Sequence, residues 1–343
     1  MKKKKILYFV EAFGGGVFTY ICNLANALCE EYDVYVAYGI RKQTPSNFKN
    51  YFDSRVHLIC VENYRREISI KSDLAALKEM KGIAKIVQPD VIHLNSSKAG
   101  ILGRWLFRNS KIPVFYTPHG YSFLMTNISK KKKFFYKSLE KAFAFKNIET
   151  IACSKSEYEI TKELTSNATY VDNGINLKEF DGINMDHQTN FDHLKIATLG
   201  RISLQKNPVM FNRIAESFPN VDFIWIGDGE LRDKLTTSNI KVTGWVDNKT
   251  ALNYLADTDI FILTSLWEGL PMALLEAMYM KKICIVSDVV GNRDVIHDEQ
   301  NGYICDSVND FIKKIKSIST DRLMLPELIK KAHDDVVNHY NST

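Results

Sequence analysis

Short runs of β-branched and aromatic residues recur along this chain, each followed by a longer amphipathic stretch. That rhythm narrows the possible folds more than any other feature. In the first half the runs are 6–10, 34–38, 57–61, 91–95, 114–117 and 150–154. In the second they are 195–199, 222–226, 241–243, 260–264 and 283–287. The intervening stretches carry helical spacing, as in 72–87, where Leu74, Leu77, Ile83 and Val87 recur near i+3/i+4. Strands separated by helices at this interval read as βαβ units and therefore as parallel sheets. With 343 residues the chain is too long for one ordinary core. The expectation is an α/β protein of two doubly wound, Rossmann-like parallel-sheet domains facing across a cleft. Ligands of such sheets sit beyond the carboxyl ends of the strands. Residues 1–180 form the expected first domain and 194–325 the second. The polar, aperiodic stretch 181–193 is the linker region between them, and 326–343 is a C-terminal helix expected to pack back on the first domain.

Composition excludes several classes. Apolar residues are 45% and charged residues 25%, the profile of a globular chain and not of a disordered one. A net charge of +5 is too mild to imply nucleic acid. Six cysteines lie scattered with no C-x-x-C pair, which argues against a zinc site or a disulfide framework and fits reduced cytoplasmic thiols. The lysine-led N-terminus imitates a signal peptide, but its apolar run is short and Glu11 and three glycines follow, so it reads as a first buried strand. No run of about 18 apolar residues exists to suggest a membrane span.

The chemistry-bearing motifs fall where strands end. After the run 259–264 comes Ser265-Leu266-Trp267-Glu268-Gly269-Leu270-Pro271-Met272, then a helical stretch holding Glu276. One carboxylate sits on a Gly/Pro turn and another inside the helix that the turn opens. Free backbone N–H groups at a helix start bind anions, and carboxylates suit sugar and ribose hydroxyls. Together they suggest a nucleotide-sugar diphosphate. Gly200-Arg201 through Lys206-Asn207-Pro208 follows another strand, and its two cations would neutralise a diphosphate, Arg as a planar fork and Lys as a point charge. Pro208 marks a helix start. Gly227-Asp228-Gly229 reads either as room for a base or ribose or as a plain turn and cap. Thr243-Gly244-Trp245-Val246 would offer a base its backbone groups, with Trp245 itself expected to pack.

In the first half, Gly14-Gly15-Gly16 opens a helix either as a tight turn or as a loop whose N–H groups approach a phosphate or sugar. Its spacing is not G-x-G-x-x-G, which disfavours a nicotinamide dinucleotide. His119 stands on a Pro/Gly-bracketed turn at a strand end, where a donor-sugar contact is favoured over a structural role. Lys130, Lys131, Lys132 and Lys133 precede Phe134 and Phe135 on a helical segment. Cations beside aromatics suit an anionic membrane surface, with a plain solvated face as the other reading.

These residues in this order resemble the retaining glycosyltransferases of family four, with the GT-B fold. The resemblance spans nearly the whole chain, and Glu268-x7-Glu276 is its most specific part. The stretch 116–123 is similar to that of capsule and exopolysaccharide members. The resemblance implies that Arg201 and Lys206 hold the donor diphosphate and that Glu276 takes the ribose hydroxyls. Glu268 would meet sugar hydroxyls beside the backbone N–H groups of Gly269, Leu270 and Met272. Gly227 and Val246 would border the nucleoside, His119 would touch the sugar from the opposite domain, and Gly15 and Gly16 would leave room beside the diphosphate and acceptor. One departure is the short segment after Gly302, which bears on how tightly the domains are coupled.

The implied reaction moves a hexose or N-acetylhexosamine-type sugar, with retention, from a UDP-sugar to a glycan or lipid-linked acceptor at the inner membrane face. No cofactor, required metal or nucleic acid is expected. Asp257-Thr258-Asp259 has the letters of a metal-binding D-x-D but precedes a strand where such a pair should follow one. Two rivals share the architecture: a sugar-nucleotide 2-epimerase, and a non-catalytic subunit that binds a nucleotide sugar.

Overall fold

The structure is a computed structural model that describes residues 3–41, 43–65, 67–186 and 189–342. His187 and Gln188 of the expected linker, and Met1 and Lys2 of the basic lead, lie outside the described residues. The chain divides into two compact units, Met1–Asp172 and Asn173–Thr343.

The first unit runs β1 (Lys5–Val10), α1 (Gly15–Leu28), β2 (Asp33–Tyr38), β3 (His57–Cys60), α2 (Ile70–Val87), β4 (Val91–Asn95), α3 (Ser97–Phe107), β5 (Val114–Thr117), α4 (Lys130–Ala142), β6 (Ile148–Ala152), α5 (Lys155–Lys162) and β7 (Ala168–Tyr170). Its seven strands are parallel, in the order β3-β2-β1-β4-β5-β6-β7. Side chains of period two divide β1 between two cores. Tyr8 and Val10 pack with Phe18, Ile21 and Ala25 of α1, while Leu7 and Phe9 pack with Met80 of α2 and Ala99 of α3.

The second unit runs β8 (Lys195–Leu199), α6 (Pro208–Glu216), β9 (Asp222–Ile226), β10 (Ile240–Val242), α7 (Asn248–Ala256), β11 (Ile260–Leu263), α8 (Met272–Tyr279), β12 (Ile283–Ser287), α9 (Val290–Val295), β13 (Tyr303–Cys305), α10 (Val308–Thr320) and α11 (Leu325–His339). Six parallel strands take the order β10-β9-β8-β11-β12-β13. Helix α8 is buried on every side, from Met272 through Met278. One neighbour is α11, which buries Ala332 and Val336 and stacks His333 on Tyr279 at 5.0 Å between ring centroids.

Most sequence expectations land on strands, with three differences. The run expected at 150–154 is Ile148–Ala152. The edge strands β7 and β13 carry no readable pattern, because each is three residues long and largely half-buried or exposed. Trp245, expected to pack, is 59% exposed, on the loop that follows the edge strand β10.

Strand order, unlike strand position, is set by the tertiary structure. In each sheet it reverses once, between β1 and β4 in the first and between β8 and β11 in the second. Such a switch point leaves a crevice at the carboxyl ends, where doubly wound sheets bind ligands. The loops after β8 and β11 carry Lys206 and Glu268; those after β1 and β4 carry Gly14, just before Gly15 and Gly16 open α1, and Ser96.

Candidate active site

The two switch loops of the second unit are stitched together. Leu266 N–H donates to the Gln205 carbonyl (2.8 Å), and the Thr264 hydroxyl donates to the Lys206 carbonyl (2.8 Å). Gln205 Nε2 returns a bond to the Trp267 carbonyl at 2.9 Å. Beneath them Ser287 Oγ donates to the Ser265 carbonyl (2.5 Å), and Asn292 Nδ2 holds the Ser287 carbonyl (2.8 Å). This scaffold brings Lys206 Nζ to 2.7 Å from Glu268 Oε1. Glu268 also accepts from Ser265 Oγ at 2.6 Å and Gln205 Nε2 at 3.2 Å. Both partners are largely buried, so the pair sits where charges act over short, weakly screened distances. One ammonium N–H is committed to Glu268, and two are left for another ligand.

Arg201 lies on the same loop, with Nε 2.9 Å from Glu230 Oε2. That pair is substantially solvent-exposed, and such pairs contribute about 0–1 kcal/mol, so a phosphate can displace the carboxylate easily. Gln205 and Ser265 have no motif of their own. Each is set beside a charged site residue by the fold.

Glycines bring the backbones of these loops together. A Cβ on Gly227 would lie 2.3 Å from the Gly200 carbonyl oxygen, and one on Gly229 would lie 2.2 Å from that of Ile202. Gly291 supports the Glu268 loop in the same way, with a Cβ position 2.2 Å from the Gly269 carbonyl oxygen. Val246 is half-buried beyond Gly244. Leu270 and Met272 are buried, and Asn173 Nδ2 reaches the Leu270 carbonyl at 3.4 Å.

Helix α8 begins after Pro271 with no side-chain cap, so its first N–H groups have no intrahelical or capping partner. By contrast α5, α7 and α10 are capped by Ser154, Asp247 and Ser307. Helix α6 starts at Pro208 as expected, with Asn207 as its cap. Glu276, one turn into α8, is buried, and its carboxyl has no hydrogen-bond or ion-pair partner among the described residues. Burial, then the neighbouring Glu179 charge, push its pKa up to about 7 against the opposing pull of Lys206. Glu179 is itself placed by Asn248 Nδ2 at 2.7 Å.

The first unit's carboxyl edge is built differently. Helices α1 and α3 begin without side-chain caps at Gly14 and Ser96. Cβ positions on Gly15 and Gly16 meet nothing within 4 Å, and Gly15 has φ +58, a conformation suited to glycine. His119 also adopts a left-handed backbone, with φ 54, followed by Gly120 at φ 89. For a histidine this costs on the order of 1 kcal/mol or more. The strained turn is held by buried Glu157 of α5, which accepts from Gly120 N at 2.7 Å and Cys153 N at 2.8 Å. The half-buried His119 ring packs edge-on against Tyr20 of α1, centroids 4.7 Å apart. Its Nε2 lies 2.9 Å from Oδ1 of fully buried Asn95 on β4. Burial, with a smaller contribution from His93, lowers the His119 pKa to about 3, so the ring is neutral at physiological pH.

The Asp257-Thr258-Asp259 letters are structural. Asp259 accepts from Lys195 N (2.8 Å) and Asn190 N (3.2 Å), and Asp257 pairs with Lys195 Nζ (2.7 Å), at the end of β11 away from the site. Among the described residues no group of three or more His, Cys, Asp or Glu could hold a metal ion.

Helix α4 turns Glu140 inward to buried Arg104 (2.5 Å). Its outer face carries Lys130, Lys131, Phe134 and Phe135, the two rings 75% and 49% exposed. Lys132 is exposed and Lys133 is half-buried. Among the described residues no helix is long and apolar enough to cross a membrane.

Two parallel α/β sheets, each reversed once, are the architecture of the GT-B fold. The chain belongs to the family 4 glycosyltransferases. The family model Glycosyltransferase Family 4 matches residues 14–179, and Glycosyl transferases group 1 matches residues 183–335. The UDP-Gal:alpha-D-GlcNAc-diphosphoundecaprenol alpha-1,3-galactosyltransferase of Escherichia coli is 32% identical over 325 residues, covering 85% of this chain and 82% of that protein. An uncharacterized 41.2 kDa protein in the cps region of Klebsiella pneumoniae is 27% identical over 339 residues, covering 87% and 85%. The sucrose-phosphate synthase of Thermosynechococcus elongatus shares the fold, with a TM-score of 0.85 at 16% identity over 99% of this chain and 95% of that one.

Proposed function

We propose that this glycosyltransferase moves a hexose or N-acetylhexosamine-type sugar from a UDP-sugar to a lipid-linked glycan acceptor. The transfer retains the anomeric configuration, needs no metal, and serves surface-polysaccharide synthesis. The observation that carries the reading is the Lys206–Glu268 pair held across the second switch point, beside the uncapped start of α8. The Escherichia coli relative, named for a UDP-Gal donor and a diphosphoundecaprenol acceptor, supports the choice of substrates.

Breaking the bond between sugar C1 and the diphosphate oxygen leaves its electron pair on the phosphate. Lys206, Arg201 and the first N–H groups of α8 stabilise that charge, as fixed donors do at a developing anion. The acceptor hydroxyl bonds to C1 from the same face, and its proton passes to the departing phosphate oxygen. Glu268 orients Lys206 and keeps lone-pair capacity for a sugar hydroxyl. Glu276 meets the ribose hydroxyls, and Gly227 and Val246 border the nucleoside. Gly269, Leu270 and Met272 supply backbone groups beside the sugar and diphosphate. Gly15 and Gly16 leave room for substrate at the first unit's edge, and His119 contacts a sugar hydroxyl. The test is transfer from UDP-sugars to a lipid-linked acceptor in the presence of a chelator, with the product anomer assigned by NMR. An inverted product, loss of transfer on chelation, or conversion of the donor without acceptor each overturns a stated part of the reading.

The outer face of α4 supports docking on an anionic membrane surface. Lysines meet head groups there while Phe134 and Phe135 enter the interface. Replacing Lys130, Lys131 and Phe134 together by serine should weaken binding to vesicles rich in acidic phospholipid about tenfold or more. Transfer to a water-soluble acceptor should be unchanged. Equal vesicle binding by both proteins would remove this surface from the account.

A further inference from the structure

The tautomer of the strained histidine can be read from its neighbour. Asn95 Nδ2 lies 3.2 Å from the His93 carbonyl oxygen, which can only accept a hydrogen bond. Turning the amide over would set oxygen against oxygen, so Asn95 is fixed with Oδ1 toward His119. Oδ1 can only accept, and His119 Nε2 is 2.9 Å from it. Nε2 therefore carries the ring proton. Nδ1 is then the nitrogen with the lone pair, and it has no hydrogen-bond partner among the described residues.

We propose that Asn95 is a positioning residue that locks His119 in the Nε2–H form, so that Nδ1 accepts a hydrogen bond from a sugar hydroxyl. This deepens the transferase reading and rests on it. It makes His119 a specificity contact for a hydroxyl and not a cation for the diphosphate. The surroundings agree. His93 holds Thr117 Oγ1 at 2.8 Å and is itself buried, Tyr20 presents an aromatic ring, and Glu157 spends its carboxylate on the backbone N–H groups of Gly120 and Cys153. None of these offers His119 a paired negative charge, so the ring stays neutral and a neutral carboxamide suffices to orient it.

The experiment has two arms. Long-range proton–nitrogen NMR on the full-length wild-type protein should show Nε2 protonated and Nδ1 bare at His119 at pH 7. A ring protonated at Nδ1 overturns the proposal whatever the enzyme's activity. The second arm is the pH profile of transfer. Asn95→Asp puts a carboxylate at the same position, favours the imidazolium, and should add an acid limb that recovers as pH rises. Asn95→Ala should release the tautomer and raise KM for the hydroxyl-bearing substrate at least tenfold without adding that limb. Wild-type profiles and wild-type KM in both variants would overturn the proposal. An absent transferase activity in the wild type would instead count against the functional reading and leave the NMR result standing on its own.

Discussion

Glycines near the carboxyl ends of the two sheets serve opposite purposes. In the second unit, Gly227, Gly229 and Gly291 lie where a methyl group would meet a neighbouring backbone oxygen at 2.2–2.3 Å. In the first, Gly15 and Gly16 face open space. The second unit uses glycine to pack loops into a rigid platform under Lys206 and Glu268. In the first unit, Gly15 and Gly16 keep side chains away from the start of α1, although Gly14 just before them packs on the Gln43 side chain. The same letter thus records close packing in one place and clearance in the other, and only the folded chain separates them.

The sharpest way to break this contrast is to add the missing methyl groups. Gly229→Ala should cost several kcal/mol or prevent folding, because backbone and not a flexible side chain stands in the way. Gly16→Ala should leave the denaturation midpoint unchanged or slightly higher, since alanine favours helix by up to about 1 kcal/mol. It should nevertheless slow transfer if the clearance serves a substrate. Comparable destabilisation of both variants in urea titrations would erase the distinction.

The charged platform offers the next largest effect. Lys206→Ala should lower kcat by about 10²–10³, the usual loss when a fixed donor to a developing anion is removed. It should also cost about 1–3 kcal/mol of stability, because Glu268 keeps Ser265 and Gln205 but loses its counter-charge. Near-normal transfer by this variant would end the diphosphate assignment.

Glu276 gives a pH-dependent comparison within the same unit. Its folded pKa of about 7 stands above the ordinary 4.5 because burial penalises the carboxylate. The folded state therefore holds the proton more tightly than the unfolded chain. The stability this confers is complete below about pH 4.5 and is lost as pH rises through about 7. Glu276→Gln removes the titration. Between pH 5 and pH 8 the variant should gain up to about 3 kcal/mol relative to wild type, read from denaturation curves. Donor affinity should fall if ribose hydroxyls use the carboxylate. A constant stability difference across that range would show that Glu276 is not buried as described.

The lettering of the chain by itself determined the two parallel sheets. Near-continuous apolar runs such as Lys5–Val10 and Ile283–Ser287 read as strands buried on both faces and admit little else when helices separate them. It also marked Lys206, Glu268 and His119 as candidates, because charged or titratable residues on Gly/Pro turns at strand ends are conspicuous, and Glu276 in the helix that one such turn opens. It did not reach Gln205, Ser265 or Asn95. These are ordinary polar residues whose meaning comes from what stands 2.6–3.2 Å away across 63, 3 and 24 positions of chain. Nor did it reach the strand order, which local propensity does not encode and which alone makes β8 and β11 neighbours. The tertiary structure decided that Lys206 and Glu268 form a pair, that Asp259 supports backbone, and that Trp245 is exposed. The physical reason is the same in each case. Periodicity and turn chemistry are properties of consecutive residues, whereas charge pairing, burial and amide orientation depend on neighbours that only the folded chain supplies.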